Sequence, residues 1–142
     1  GVQTCALPIL IPDVVNYFGE WRQSHTFTDK NTEIAFEIAS YLNSIPDEST
    51  VYLQTAPDLN ANFPTIGYLA PQFFIGRNLV DLPEMGGTPP ELSRLGPTVF
   101  ILLPQREAEL ELLQETYSSG QTTEVSGFFA NPLFTVYSVD AE

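Results

Sequence analysis

The chain has 142 residues, of which 43% are hydrophobic, and this is enough for one folded domain with a real core. Eighteen acidic residues against five basic ones give a formal net charge of −13 at pH 7. The basic residues are too few and too scattered to build a nucleic-acid-binding face, and an anionic membrane surface would repel the chain. No apolar run approaches the roughly 20 residues of a membrane span, so residues 19–142 are predicted to form a soluble α/β domain.

The first nine residues, GVQTCALPI, resemble the in-frame translation of a common sequencing adapter, joined to genomic sequence near Leu10. They lack the basic start of a signal peptide, and Pro8 would break an apolar helix. We therefore expect residues 1–9 to be an artefact and the native chain to continue upstream. Cys5 is the only cysteine, so no disulfide, thiolate catalysis or cysteine metal site is expected in the native part.

The first predicted element is a helix over about residues 31–44. Its apolar residues recur at helical spacing, and they are Ile34, Ile38, Leu42 and Ile45. Thr28, Asp29 or Asn31 can cap the start of this helix, and Pro46 ends it.

A strand, a loop and a second strand are predicted next. STVYLQTAP is rich in strand-forming residues and is bounded by turn residues, which indicates a first strand. The stretch from Asp58 to Pro71 is predicted to be a loop with a short helix around Pro64–Leu69, because proline suits a first helical turn. QFFIGRNLVDL is predicted to be the second strand. PEMGGTPPELSRLGP, with four prolines and three glycines, is predicted to be a surface loop in which PPELSRL could form one helical turn.

The last third of the sequence predicts a strand, a helix and a hairpin. TVFILLP is apolar without alternation, as expected for a central strand covered on both faces. QREAELELLQETY places Leu110, Leu113 and Tyr117 on one helical face, and SSG stops the helix. TTEVSGFF and LFTVYSVD flank ANP and predict an antiparallel hairpin. The order of these elements predicts a single three-layer α/β sandwich with a partly parallel sheet.

The sequence lacks the common catalytic and nucleotide-binding signatures. It has no G-x-G-x-x-G, G-x-x-x-x-G-K-[ST], G-x-S-x-G or H-E-x-x-H motif. His25, the only histidine, precedes the first helix and is interpreted as a loop residue rather than a catalytic base. The glutamates of residues 107–115 are interpreted as a solvated helix face rather than as cation ligands. No catalytic residue, metal site or cofactor is predicted.

The loop after the first strand is the candidate ligand site. Such loops bind ligands in many α/β sheets, and this one concentrates five polar side chains, namely Asp58, Asn60, Asn62, Thr65 and Tyr68. The alternative is an ordinary turn, in which Asp and Asn satisfy the backbone while Phe63, Ile66 and Leu69 pack on the sheet.

The order and spacing of several segments resemble a known family over about residues 16–139. These segments are NYFGEW, NTEIAFEIASYLNSIP, STVYL, NFPTIGYLAP, TVFILLPQREAELELL and LFTVYSV. Together they resemble the C-terminal extracytoplasmic domain of bacterial GT-C glycosyltransferases, of the dolichyl-phosphate-mannose-protein mannosyltransferase-like group, family 39-like.

The resemblance implies a truncated polytopic enzyme of the cell membrane that transfers a sugar from a polyprenyl-phosphate donor. Its catalytic carboxylate would lie upstream, so no catalytic residue is carried over. Residues 10–18 would then be the exit from a missing membrane span, and this domain would be extracytoplasmic. Its expected partners are the missing membrane-spanning domain and a glycan or lipid-linked acceptor. The alternative function is a free-standing or fused α/β module that binds a small molecule or glycan without catalysis.

Overall fold

The computed structural model describes residues 29–76, 78–84, 88–93, 95–127 and 130–141. The expectations for residues 1–28, including His25, therefore lie outside the described residues. The elements in chain order are α1 (Lys30–Leu42), β1 (Thr50–Gln54), α2 (Pro64–Leu69), α3 (Pro71–Gly76), β2 (Leu79–Asp81), β3 (Thr98–Leu102), a 3-10 turn (Pro104–Arg106), α4 (Glu107–Thr116), β4 (Gln121–Ser126) and β5 (Pro132–Val139).

The five strands form one mixed sheet in the order β2-β1-β3-β5-β4. Strand β1 pairs in parallel with β2 and with β3, whereas β5 pairs antiparallel with β3 and with β4. The prediction of a partly parallel sheet with a C-terminal antiparallel hairpin is confirmed. All five residues of β3 are buried, so TVFILLP does supply the central strand.

Helices cover both faces of the sheet, which confirms the α/β fold class. On one face, α1, α2 and α3 pack over a core formed by alternate strand residues such as Val51, Val99 and Ile101. On the other face, α4 packs over a smaller core that contains Phe100, Leu102, Leu113, Tyr137 and Val139. Because successive strand residues point to opposite faces, each apolar strand contributes to both cores.

Helix α1 begins directly after Asp29, which is one of the three predicted capping residues. Asp29 Oδ1 accepts a hydrogen bond from the Thr32 backbone N–H at 2.8 Å, and Oδ2 accepts one from the Thr32 hydroxyl at 2.7 Å. Bonds to the ionised carboxylate, led by that from the Thr32 hydroxyl, lower the pKa of Asp29. Helix α1 therefore has a fixed start, and the predicted helix over about residues 31–44 is confirmed.

The prediction for QFFIGRNLVDL was wrong over its first half. Pro71–Gly76 is helix α3, and the strand is limited to Leu79–Asp81. A short apolar run such as FFI does not separate helix from strand by its periodicity. The helical turn buries Phe73 in the core, and Pro71 is compatible with a first helical position. No helical turn forms in the described parts of the predicted loop over residues 83–97.

Candidate functional site

One row of side chains crosses four strands near the carboxyl end of the parallel strands. Gln54 of β1 is paired with Leu102 of β3, Leu102 with Thr135 of β5, and Thr135 with Glu124 of β4. Directly paired residues point to the same face of a sheet, and here that face is covered by α4. We call these four residues the terminal row. In open α/β sheets, ligands bind at this end of the strands.

A buried polar network fills one end of the terminal row. The side-chain amide of Gln54 donates from Nε2 to Glu109 Oε2 at 2.5 Å. The guanidinium of Arg106 donates from Nε to Glu109 Oε1 at 2.6 Å, and its Nη2 faces the same oxygen. Only 13% of the Arg106 and Glu109 side chains is exposed. This network fixes the start of α4 on the end of β1.

The side chain of Gln54 has a second polar atom, the carbonyl oxygen Oε1, besides the nitrogen that binds Glu109. This side chain is fully buried, and Oε1 has no hydrogen-bond partner within the described part of the chain. A carboxylate only accepts hydrogen bonds, so the contact with Glu109 requires the amide nitrogen on that side. The carbonyl oxygen of Gln54 therefore points away from Glu109.

A cavity of about 150 Å³ lies at the other end of the terminal row, between α4 and the β4–β5 hairpin. Three of its lining residues are polar, namely Glu107, Glu124 and Thr135. The others are apolar, and they are Leu102, Leu103, Pro104, Leu110, Pro132 and Phe134. The side chains of Glu107 and Glu124 are exposed, so the acidic residues lie where the cavity opens to solvent.

An aromatic row lies beside the terminal row on the same face. Phe100 stacks on Tyr52 with ring centroids 5.3 Å apart and on Tyr117 at 6.1 Å. The Tyr117 hydroxyl donates to the carbonyl of Pro90, and the Tyr137 hydroxyl donates to the carbonyl of Tyr117. Burial, and then the charges of Tyr52 and Glu91, raise the pKa of Tyr117. These contacts hold the loop after β2 against α4.

The predicted ligand residues at the start of the loop after β1 take part in local hydrogen bonds. Asp58 is exposed, and its Oδ2 accepts a hydrogen bond from Gln105 Nε2 at 2.7 Å. Asn60 Oδ1 accepts from the Asn62 backbone N–H at 2.9 Å, as in an Asx turn. Asp81 Oδ1 accepts from the Ala61 backbone N–H at 2.7 Å and ties the loop to β2. The loop thus has the hydrogen bonds of an ordered turn.

The other two predicted ligand residues lie on α2. Thr65 is half-buried, and Tyr68 is 84% exposed. No residue of this loop lines the cavity beside α4. A role in ligand binding for Asp58, Asn60, Asn62, Thr65 and Tyr68 stays a prediction.

Tyr68 is one of three large apolar side chains that are exposed on the consecutive helices α2 and α3. Ile75 is 78% exposed and Phe74 is 49% exposed. A methyl group placed on Gly67 would lie 3.8 Å from the Phe74 ring, so the two helices approach each other closely here. We call Tyr68, Phe74 and Ile75 the α2–α3 surface.

Neither the cavity nor the buried network was predicted from the sequence. Glu107 and Glu109 were assigned together to a solvated helix face, but Glu109 is mostly buried against Gln54 and Arg106. One available signal was Gln54, a polar residue that follows the strand residues Val51, Tyr52 and Leu53. Thr135 and Glu124 face the cavity only because of a pairing register that the sequence does not specify.

Across the described ranges, no group of three or more His, Cys, Asp or Glu residues is placed to hold a metal ion. None of the helices described is long and apolar enough to cross a membrane. The chain matches no family model, no curated protein and no solved structure.

Proposed function

We propose that this chain is an accessory, extracytoplasmic domain of a polytopic glycosyltransferase of the cell membrane, which transfers a sugar from a polyprenyl-phosphate donor. The single observation that carries this proposal is the α2–α3 surface. The resemblance of the segment order to GT-C enzymes supplies the class of the parent protein. Its partner is the membrane-spanning domain expected upstream of residue 10.

The α2–α3 surface has the character of a contact with an apolar partner. Residues 64–76 contain no charged residue, although the whole chain has a formal net charge of −13. Exposed apolar patches bordered by polar residues are typical of interaction sites. An uncharged partner surface avoids the repulsion that anionic lipid headgroups would exert on this acidic domain. The membrane-spanning part of the same enzyme is therefore the occupant that we propose.

The loop after β1 would face the acceptor in this arrangement. Asp58, Asn60 and Asn62 are exposed and directly precede α2 in the chain. Their carboxylate and amide groups can exchange hydrogen bonds with the hydroxyl groups of a glycan or of a lipid-linked sugar acceptor. The domain would then orient the acceptor, while the membrane-embedded part carries out the transfer.

The genomic sequence upstream of the codon for Leu10 is the first test. Several apolar segments of about 20 residues in the same reading frame are expected. A start codon near Leu10 would contradict the proposal. That result would favour a free-standing α/β module that binds a small molecule or glycan, which is the alternative that the cavity beside α4 supports.

A functional test uses the full-length enzyme in liposomes. The double variant Tyr68→Ser and Ile75→Ser is expected to reduce sugar transfer, because it makes the α2–α3 surface polar. Leu95→Ser is the matched control, since Leu95 is 88% exposed and does not belong to that surface. Equal transfer rates for the double variant, the control and the unchanged enzyme would remove the α2–α3 surface from the proposal.

The acceptor loop is tested separately in the same liposomes. Changing Asn60 and Asn62 to alanine is expected to raise the KM for the acceptor and to leave the KM for the donor unchanged. Unchanged kinetics for both substrates would exclude the loop from acceptor binding. Hydrolysis or transfer by the purified 142-residue chain alone would contradict an accessory role.

A further inference from the structure

We propose that the cavity between α4 and the β4–β5 hairpin binds a small protonated amine with an apolar body. This site is separate from the α2–α3 surface and does not depend on the function proposed above. It is defined by the terminal row below and by the first turn of α4 above.

The shape and size of the cavity favour a ring or a short hydrocarbon chain. Its volume is about 150 Å³, and Leu102, Pro104 and Leu110 contribute apolar walls. An apolar cavity of about this volume accommodates benzene. Ca²⁺ takes about six to eight oxygen ligands, so it would make no favourable contact with these apolar walls.

The charge of the cavity favours a positive group at its mouth. Glu107 begins α4 on one side, and Glu124 stands beside Thr135 on the other. Carboxylates only accept hydrogen bonds, so these residues together offer acceptors to a ligand that donates several. A protonated primary amine has three such donors and can lie between the two carboxylates.

Within the described part of the protein, no basic side chain is placed to pair with Glu107 or Glu124 in the cavity. Its two basic residues are Lys30 and Arg106. Arg106 is next to Glu107 in the chain, but its guanidinium is bound to Glu109 on the Gln54 side of the terminal row. Lys30 begins α1, which packs on the opposite face of the sheet. Among the described residues, neither Glu107 nor Glu124 has an ion-pair partner.

The test is an NMR titration of the isotopically labelled 142-residue chain with benzylamine at pH 7 and low salt. Saturable shifts are expected at residues 102, 110 and 135. Benzyl alcohol has the same ring without the charge. Its affinity is expected to be at least about tenfold lower, which is the scale of a lost charge-assisted hydrogen bond. Benzoate is expected not to bind. Equal affinities for benzylamine and benzyl alcohol would overturn the proposal.

Two conservative variants connect the binding to the carboxylates. Glu107→Gln and Glu124→Gln each keep the shape of an exposed side chain and are expected to weaken benzylamine binding severalfold. Glu111→Gln is the matched control, because Glu111 is exposed on the same helix and does not line the cavity. The spectra of the variants also report whether the fold is intact. Wild-type affinity in both cavity variants, or benzylamine shifts confined to residues outside the cavity, would refute the site.

Discussion

Among the described glycines, Gly120 leaves the least room for a side chain, because it packs directly on Tyr137. A methyl group at residue 120 would overlap the Tyr137 ring, whose hydroxyl donates to the Tyr117 carbonyl. Gly120→Ala must therefore displace a buried aromatic side chain from its hydrogen bond. We expect it to lower the free energy of unfolding by about 1–3 kcal/mol, the usual cost of overpacking.

Gly67→Ala is the matched control for this substitution. The nearest atoms to its added methyl group belong to the Phe74 ring at 3.8 Å, which is an ordinary contact. Because alanine restricts the unfolded chain, this variant is expected to be neutral or stabilised by up to about 1 kcal/mol. Urea denaturation measures both variants. A midpoint for Gly120→Ala equal to that of the unchanged chain would show that Tyr137 can move without cost.

Single residues were predictable where their partners are close in sequence. Asp29 was among three candidate caps, and its partner Thr32 lies within the first turn of the helix. Asn60 and Asn62 form the kind of turn that asparagine favours. By contrast, the partner of Gln54 lies on another element, so no local rule identifies it.

At the element scale, β3 carries the most buried part of the sheet. Ile101 is fully buried in the core beneath α1, and its strand is paired on both sides. Ile101→Ala removes apolar contacts and leaves a cavity, so we expect a loss of about 2–5 kcal/mol in the free energy of unfolding. Glu111→Gln on the exposed side of α4 is expected to change it by less than about 0.5 kcal/mol. A loss below about 1 kcal/mol for Ile101→Ala in urea denaturation would contradict the central position of β3.

Elements were predictable where apolar spacing extends over several turns or where a strand is apolar throughout. Helices α1 and α4 and strand β3 meet these conditions, and Pro64 also identified the start of α2. Helix α3 did not meet them, because its apolar residues are too few to show a period. The helix buries Phe73 in a core whose other members are mostly distant in sequence.

At the scale of the whole molecule, the net charge of −13 sets the response of stability to salt. Like charges repel more strongly in the compact state than in the unfolded chain. Raising the ionic strength from about 10 mM to about 150 mM shortens the screening length from about 30 Å to about 8 Å. We therefore expect the melting temperature to rise with NaCl over this range, and calorimetry measures it. A melting temperature that falls with NaCl would show that attractive charge pairs outweigh the repulsion.

The layered architecture was predictable at this scale, because the alternation of helices and strands restricts how they can pack. The cavity was not predictable, because it depends on how far β4 slides along β5. Shifting that pairing by one residue would turn Glu124 toward the opposite face of the sheet. The strand register thus decides where the cavity lies, and composition and periodicity do not predict that register.

The walls of the cavity come from one continuous stretch of chain, residues 102–135. The β4–β5 hairpin closes a short loop, whereas pairing β1 with β3 must first enclose α2, α3, β2 and the long loop after them. Short loops cost less entropy to close, so the C-terminal unit can assemble before the parallel strands meet. A ligand held by α4 and the hairpin would therefore slow amide hydrogen exchange most in the C-terminal half of the chain.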